Sequence, residues 1–576
     1  MRDRFLTPAG LALLAVALTL PSVGGGLGAD DYFHRMVLQG QGPLGASLSP
    51  TFDLFSFVPE KLRDTMVDLG AVPWWSDPKL RIALARPLTA LTHRADYLLW
   101  PDTFAMQHVH SLAWFGLGVA LVALLYRRIH GTAAVAGLAG LLFAVEDAHA
   151  LPAAWLANRN ALLCLVFGVA VILFHLAWRD TGRRCHLLAA LLSLILGLGC
   201  GEAAIGGLAY VAAWQLTEER RSWLARLIPL TPYVLVVVVW RAFYDQAGYG
   251  TLGSTLYVDP GSEPVAFLGQ AVGRFPLLIT AQWLQAPIDL WLFLPPLWQH
   301  ASVAGAVIAS LGLLAILFGL LRRERVARFW LLGMSLALVP VCAAFPMDRL
   351  LIFAGIGAFG ALAMLASDLA VWPWRPGAVG GFRRAAAIAL LVLHLPVSAL
   401  LLLFRTATFE EIGRLSARGA RESPADAAVK HQTLVYVNGN DFLVIYTWII
   451  RQAEGGSAAP QRVAQLSSAF TTQVVHREDE KTLVIRSGGG FLRYSVDRVM
   501  ASSTRPFKVG ERIERPDFTV EVRSITPDGR PLEVAFRFRH DLEDPSLRFL
   551  YWVRLHVRDF PLPDIGRSVT LDGLID

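Results

Sequence analysis

The sequence predicts a mainly α-helical membrane protein with about eleven transmembrane helices, followed by a C-terminal β-rich extracytoplasmic domain. Three observations carry this expectation. Of 576 residues, 54% are apolar and only 17% are charged, against roughly 25% charged in soluble domains. Mean hydropathy is +0.47, and several apolar runs approach the roughly 20 residues that cross about 30 Å of hydrocarbon. Beyond residue 405 the apolar runs stop and short stretches of alternating polarity begin. The net charge of +6 comes mostly from Arg pairs in short loops. That is a topology signal rather than a nucleic-acid footprint, so no nucleic-acid partner is expected. Four cysteines, Cys164, Cys185, Cys200 and Cys342, are scattered and form no metal spacing or disulfide framework.

The first apolar segment runs from Pro8 to about Leu27 and ends at Gly28-Ala29-Asp30-Asp31-Tyr32. No clear Ala-x-Ala site follows the apolar run before Asp30, so the segment reads as an uncleaved first span rather than a removed signal peptide. A long first loop, 29–107, is too polar to span. Loops of this length between spans are seldom idle, and its aromatic, amphipathic pieces suit a membrane surface. Further spans are expected near 108–126, 132–150, 160–178, 186–200, 202–217, 226–243, 301–321, 329–346, 350–371 and 384–404. The segment 262–300 is mixed in character and is read as lying outside, as an interfacial helix or paired short spans.

Arg127-Arg128, Arg183-Arg184, Arg220-Arg221, Arg322-Arg323 and Arg383-Arg384 all fall on one side if the N-terminus is cytoplasmic. This is the positive-inside pattern. It requires a turn near Gly199-Cys200-Gly201, because both flanks of 187–216 are basic. The same arithmetic brings Asp30, Asp31, Glu146, Asp147, His149, Arg159, Glu202, Asp348 and Arg349 to the opposite, extracytoplasmic face. The C-terminal tail joins them there.

Domain organisation follows: a transmembrane domain 1–404, a polar, helix-prone linker 405–430, and a β-rich domain 431–576. Strands are expected at Leu434–Val437, Leu483–Arg486, Phe518–Val522 and Leu532–Phe538, with turn chemistry at Asn438-Gly439 and Asp528-Gly529. The tail shows no nucleophile–base or metal cluster, so partner contact or scaffolding is its default reading.

Each candidate site residue has a plain structural alternative. Asp30 and Asp31 either flank a span or line a site. Glu146, Asp147, His149 and Arg159 form a solvated hairpin or a cluster able to hold phosphate, a proton or a metal. Glu202 caps a helix or serves a site. Asp348-Arg349 is a local ion pair or a rim guanidinium for a lipid-linked phosphate.

The order of these motifs resembles the C-type (GT-C) fold of membrane glycosyltransferases. It is nearest to bacterial relatives of the transmembrane O-mannosyltransferases that carry TPR repeats. Asp30-Asp31 resembles that superfamily's first-loop acid motif. Trp74-Trp75-Ser76-Asp77-Pro78, Ala85-Arg86-Pro87-Leu88-Thr89 and Tyr97-Leu98-Leu99-Trp100 resemble its first-loop block. Leu142 to His149, followed by Ala154-Trp155-Leu156-Ala157-Asn158-Arg159, resembles its His-Pro-x-His and Ala-Trp-x-x-x-Arg stretch. Gly201-Glu202 falls at its Lys-Glu, and Asp348-Arg349-Leu350-Leu351 resembles its Glu-Arg-Tyr-Leu. The chain departs from the pattern at Glu146, Asp147, Leu151 and Gly201, and TPR repeats are replaced by the β-rich tail.

The resemblance implies a bacterial plasma-membrane enzyme that moves a sugar, with inversion, from a polyprenyl-phosphate donor to an acceptor hydroxyl. The acceptor would be a protein, lipid or glycan at the extracytoplasmic face. Asp30 or Asp31 would act as general base. Arg86, His149, Arg159, Glu202, Asp348 and Arg349 would bind substrate or phosphate. No cofactor is certain; a divalent cation, Mg or Mn, is the further reading for Glu146 and Asp147. The alternative is a catalytically inactive scaffold or assembly protein in cell-envelope glycan synthesis. A transporter is disfavoured because the ionisable residues gather at one rim rather than at mid-membrane.

Overall fold

The computed structural model describes residues 6–218, 222–371, 378–456, 458–502 and 505–575. Arg220-Arg221 lies outside them. Among the described residues seven helices are long and apolar enough to cross a membrane, or eight if the bent pair Ala133–Ala144 and Asp147–Ala154 is one span. Pro8–Gly24 and Arg184–Cys200 are shorter apolar helices, so the expected eleven full-length spans do not all appear. The chain is a multi-pass membrane protein. Exposed apolar side chains such as Val239 (61%), Ile308 (72%) and Leu400 (68%) cover its helical flanks, as a hydrocarbon solvent requires.

The turn expected near residue 200 is present. Arg184–Cys200 ends there, a 3₁₀ turn Glu202–Ala204 follows, and Ile205–Thr217 continues the chain. The segment read as lying outside contains a 21-residue helix, Pro264–Leu284, apolar and long enough to cross. Yet both its flanks meet the carboxylate-bearing face. The Val258 N–H donates to the Ala343 carbonyl at 2.8 Å, and Asp289 pairs with Arg405.

Charge is segregated along the helices. Leu156–Thr181 carries Arg159 near its start and Asp180, paired with Arg128, near its end. Ile352–Leu369 follows Asp348-Arg349 and ends near Asp368, which meets Arg323 at 2.6 Å. Acidic candidates and basic loop pairs therefore occupy opposite helix ends.

The first loop is folded. Its strands β1 (Ser56–Val58) and β2 (Arg81–Ala83) join β3 (Gly250–Leu252), which follows helix Thr231–Gln246, in an antiparallel sheet. Helix Asp30–Leu38 and helix Pro87–Leu99 flank it.

The last transmembrane helix does not stop at residue 405. Gly381–Glu422 is one 42-residue helical rod with a π-turn at Leu393–Val397. The stretch read as a linker is thus largely helix Phe409–Glu422, which buries Phe409, Gly413, Ser416 and Ala417.

The C-terminal region holds two sheets. The first is six-stranded and antiparallel. It contains β6 (Gln473–Arg477), β7 (Thr482–Ser487), β8 (Arg512–Glu514), β9 (Phe518–Ile525), β10 (Pro531–Phe538) and β13 (Ser568–Leu571). The second contains β4 (Thr433–Tyr436), β5 (Arg462–Gln465), β11 (Leu547–Val553) and β12 (His556–Asp559). All four expected strands are present, and Asp528-Gly529 turns β9 into β10 with Gly529 at φ +81°. Asn438-Gly439 does not make a hairpin. It leads from β4 into helix Asp441–Ala453, which returns to β5 as a parallel crossover. Asn438 instead clamps Trp552, accepting from its N–H at 2.8 Å and donating to its carbonyl at 3.2 Å.

Helix Asp441–Ala453 joins the two parts of the molecule. Trp448, Ile449 and Ile450 share one apolar cluster with Tyr32, Phe33, Met36 and Val37 of the first loop.

Candidate active site

Asp30 and Asp31 open helix Asp30–Leu38, where a carboxylate is favoured by the helix dipole. Ala29 before them has φ 47° and ψ −115°. Such a conformation costs a residue with a Cβ on the order of 1–3 kcal/mol and is typically retained where surrounding structure imposes it.

The two acids are not equivalent. Asp31 is 2% exposed. Its Oδ2 accepts from the Gly28 N–H at 2.9 Å and its Oδ1 from the Ala157 N–H at 2.7 Å. It braces the first loop against the hairpin, and burial pushes its carboxyl up to about 8. Asp30 is half-buried, and its Oδ1 accepts from the Tyr446 hydroxyl. Burial raises its proton affinity, against the hydrogen bond from Tyr446 and the charges of Arg349 and Arg86.

Arg349 stacks on the Trp155 indole at 5.4 Å, while Trp155 Nε1 donates to the Gly28 carbonyl at 3.1 Å. Arg349 Nε donates to Met347 Sδ at 3.3 Å, and its charge bears on Tyr257. Among the described residues it forms no ion pair with a carboxylate. Arg86 lies over the Phe55 ring at 5.1 Å. Its Nε and Nη2 donate to Glu202 Oε2 at 3.2 and 3.1 Å, and Tyr244 donates to Oε1 at 2.9 Å. Glu202 is therefore the counter-ion of Arg86 rather than a simple helix cap.

Asp348 does not pair with its neighbour Arg349. Its Oδ2 meets Arg405 Nη1 at 2.9 Å, and the same guanidinium holds Asp147 at 2.8 Å and Asp289 at 2.9 Å. Burial and the adjacent Asp289 push Asp348 up to about 7.

Two expected phosphate ligands are placed elsewhere. Arg159 is fully buried, 2.5 Å from Asp96, with further bonds to Ser111, Thr92 and the Gln107 carbonyl. Its donors are spent inside the bundle. His149 is 1% exposed and packs between the Phe115 and Phe143 rings. Between His149 and Arg159 in sequence, Leu156 packs into the apolar cluster of the first loop and the Ala157 N–H donates to Asp31.

The cation reading of Glu146 and Asp147 does not fit. Glu146 is 2% exposed and pairs with His394 at 3.1 Å, with Ser398 beside it. Asp147 is held by Arg405. Among the described residues no group of three His, Cys, Asp or Glu side chains could hold a metal ion.

Sequence reasoning missed Asp96, Asp289, Arg405, His394, Tyr257 and Tyr446. Arg405 was findable as a guanidinium directly following the apolar run Ala399–Phe404. Tyr446 carried no signal, because nothing local ties it to a carboxylate 416 residues away.

The molecule is thus a multi-pass membrane protein with a rim of carboxylates and guanidiniums beneath a folded loop. No family model matches the sequence, and no curated protein matches it. Several solved structures are similar to the chain at low sequence identity. One is the oligosaccharyltransferase of Archaeoglobus fulgidus tethered to an acceptor peptide, at 12% identity and TM-score 0.41 over 81% of this chain and 64% of that one. A second is ArnT from Cupriavidus metallidurans bound to undecaprenyl phosphate, at 12% identity and TM-score 0.38 over 79% and 89%. A third is the arabinosyltransferase EmbB from Mycobacterium smegmatis, at 14% identity and TM-score 0.28 over 91% and 47%. The chain spans 64% of the length of the first of these.

Proposed function

We propose that this protein transfers a sugar, with inversion, from a polyprenyl-phosphate donor to an acceptor hydroxyl at the extracytoplasmic face of a bacterial plasma membrane. One observation carries the reading. Asp30, half-buried and strained into place by Ala29, lies in the field of Arg349, a guanidinium that forms no ion pair with a carboxylate among the described residues. A base and an anion-binding cation on one rim are what such a transfer needs.

In the proposed step the acceptor oxygen attacks the anomeric carbon. The bond from that carbon to the phosphate oxygen breaks, and its electron pair leaves with the lipid phosphate. The acceptor proton passes to Asp30. Arg349 holds the departing phosphate where negative charge grows, with Arg86 contributing from its Glu202-anchored position. The polyprenyl chain would lie against the apolar helix flanks. Arg159 and Asp348 act structurally, through Asp96 and Arg405.

A second reading, an inactive scaffold, draws on the hairpin, whose Glu146 and Asp147 are both committed to internal partners. A glycan and lipid-linked-sugar profile of a deletion strain separates the two. Complementation with wild type restores the missing product, whereas Asp30→Asn at equal protein level leaves lipid-linked sugar to accumulate. Full restoration by Asp30→Asn overturns the transferase reading.

A further inference from the structure

We infer that Tyr446, supplied by the C-terminal domain, is a positioning residue for the transfer, so that this domain completes the active site rather than merely decorating it. The inference rests on the reading of Asp30 as base.

Tyr446 is 8% exposed, and its hydroxyl donates to Asp30 Oδ1 from 416 residues away in sequence. Its helix is fixed on two sides. Arg451 Nε and Nη2 donate to the Ala420 carbonyl at 3.1 and 2.7 Å, and Nη2 reaches the Ser423 carbonyl at 2.6 Å. These bonds lock the helix to Phe409–Glu422, the continuation of the last transmembrane rod. From the other side Arg35 Nε donates to the Ala453 carbonyl at 3.2 Å. Arg35 belongs to the helix that Asp30 opens, so donor and acceptor of the Tyr446–Asp30 bond are held in register by a second bond one helix-length away.

The charged and titratable groups bearing on Asp30 come from four places. Asp31 follows it, Arg86 comes from the first loop, Arg349 precedes a span, and Tyr446 comes from the C-terminal domain. Tyr257, in the fields of both Asp30 and Arg349, adds a further group. Tyr446 is the group among them that donates a hydrogen bond to the carboxylate. It engages Oδ1 and leaves Oδ2 for the acceptor proton. A phenol donor stabilises the ionised carboxylate against its burial, which keeps the base charged at working pH. It has no part in holding the phosphate.

The test uses full-length Tyr446→Phe and Asp30→Asn in membranes of the deletion strain, with lipid-linked sugars extracted from that strain as donor. Tyr446→Phe keeps the ring and its packing. Its acid limb is expected to move up by about one pH unit, the scale of a hydrogen bond to a charged group. Its donor KM should stay within about twofold of wild type. The double variant should turn over no more slowly than Asp30→Asn alone, because the bond acts only through the carboxylate. An unmoved acid limb with Asp30→Asn inactive overturns the Tyr446 role and leaves the base standing. An active Asp30→Asn overturns the base itself.

Discussion

Arg405 Nη1 lies 2.8 Å from Asp147 Oδ2, although 258 residues separate them. The same guanidinium also takes Asp289 and Asp348, so one cation compensates three acids from three connections. Removing it leaves uncompensated, largely buried carboxylates. Arg405→Ala is expected to lower stability by about 3–5 kcal/mol, read as a fall in the unfolding midpoint in detergent. Asp289→Asn, which removes one of three acids, should cost far less.

Asp30 and Asp31 should separate cleanly. Asp30→Asn is expected to reduce turnover by about 10²–10⁴-fold with an unchanged melting profile. Asp31→Asn places an amide N–H against a backbone N–H of Gly28 or Ala157, which should cost about 1–3 kcal/mol and show as lost folded protein. Parallel turnover and thermal melts of the two variants check this.

The pH dependence follows from the same carboxylate. The base must be ionised, and burial raises the Asp30 pKa above its ordinary 3.8. Activity is therefore present at high pH and lost as pH falls through that raised value. A pH–rate profile should place the acid limb above 3.8; a limb at or below it removes Asp30 from the base role.

Arg349 and Arg159 should respond differently. Arg349→Ala loses a charge-assisted contact with phosphate and is expected to raise donor KM by about 10- to 100-fold. Arg159→Lys cannot reproduce the contacts to Asp96, Ser111 and the Gln107 carbonyl. It should reduce folded protein while donor KM of the remainder stays within about twofold. Donor titrations on both variants, normalised to folded protein, decide the assignment.

Arg159, His149 and Tyr446 mark how far the site was legible. Hydropathy and Arg pairs placed Arg159 and His149 at the correct helix ends. They could not say which way a side chain points, because every direction around a buried helix is apolar in sequence. Asp96, the partner that sequesters Arg159, lies 63 residues earlier in a loop helix whose docking no local pattern encodes. The run Phe442–Ile450 is rich in β-branched and aromatic residues, which gives no local sign of a helix. It is helical because parallel strands β4 and β5 need a crossover between them.

The sequence by itself determined the membrane class, the helix ends at which charge gathers, the strands of the C-terminal sheets and the candidacy of Asp30. These depend on periodicity, length and the high cost of charge in hydrocarbon, all of which act locally along the chain. Only the tertiary structure decided which acid stays open, that Arg405 rather than Arg349 satisfies Asp348, and that Tyr446 reaches Asp30. Those outcomes are pairings between distant segments, and a buried ionisable group takes whichever partner the packing brings within reach.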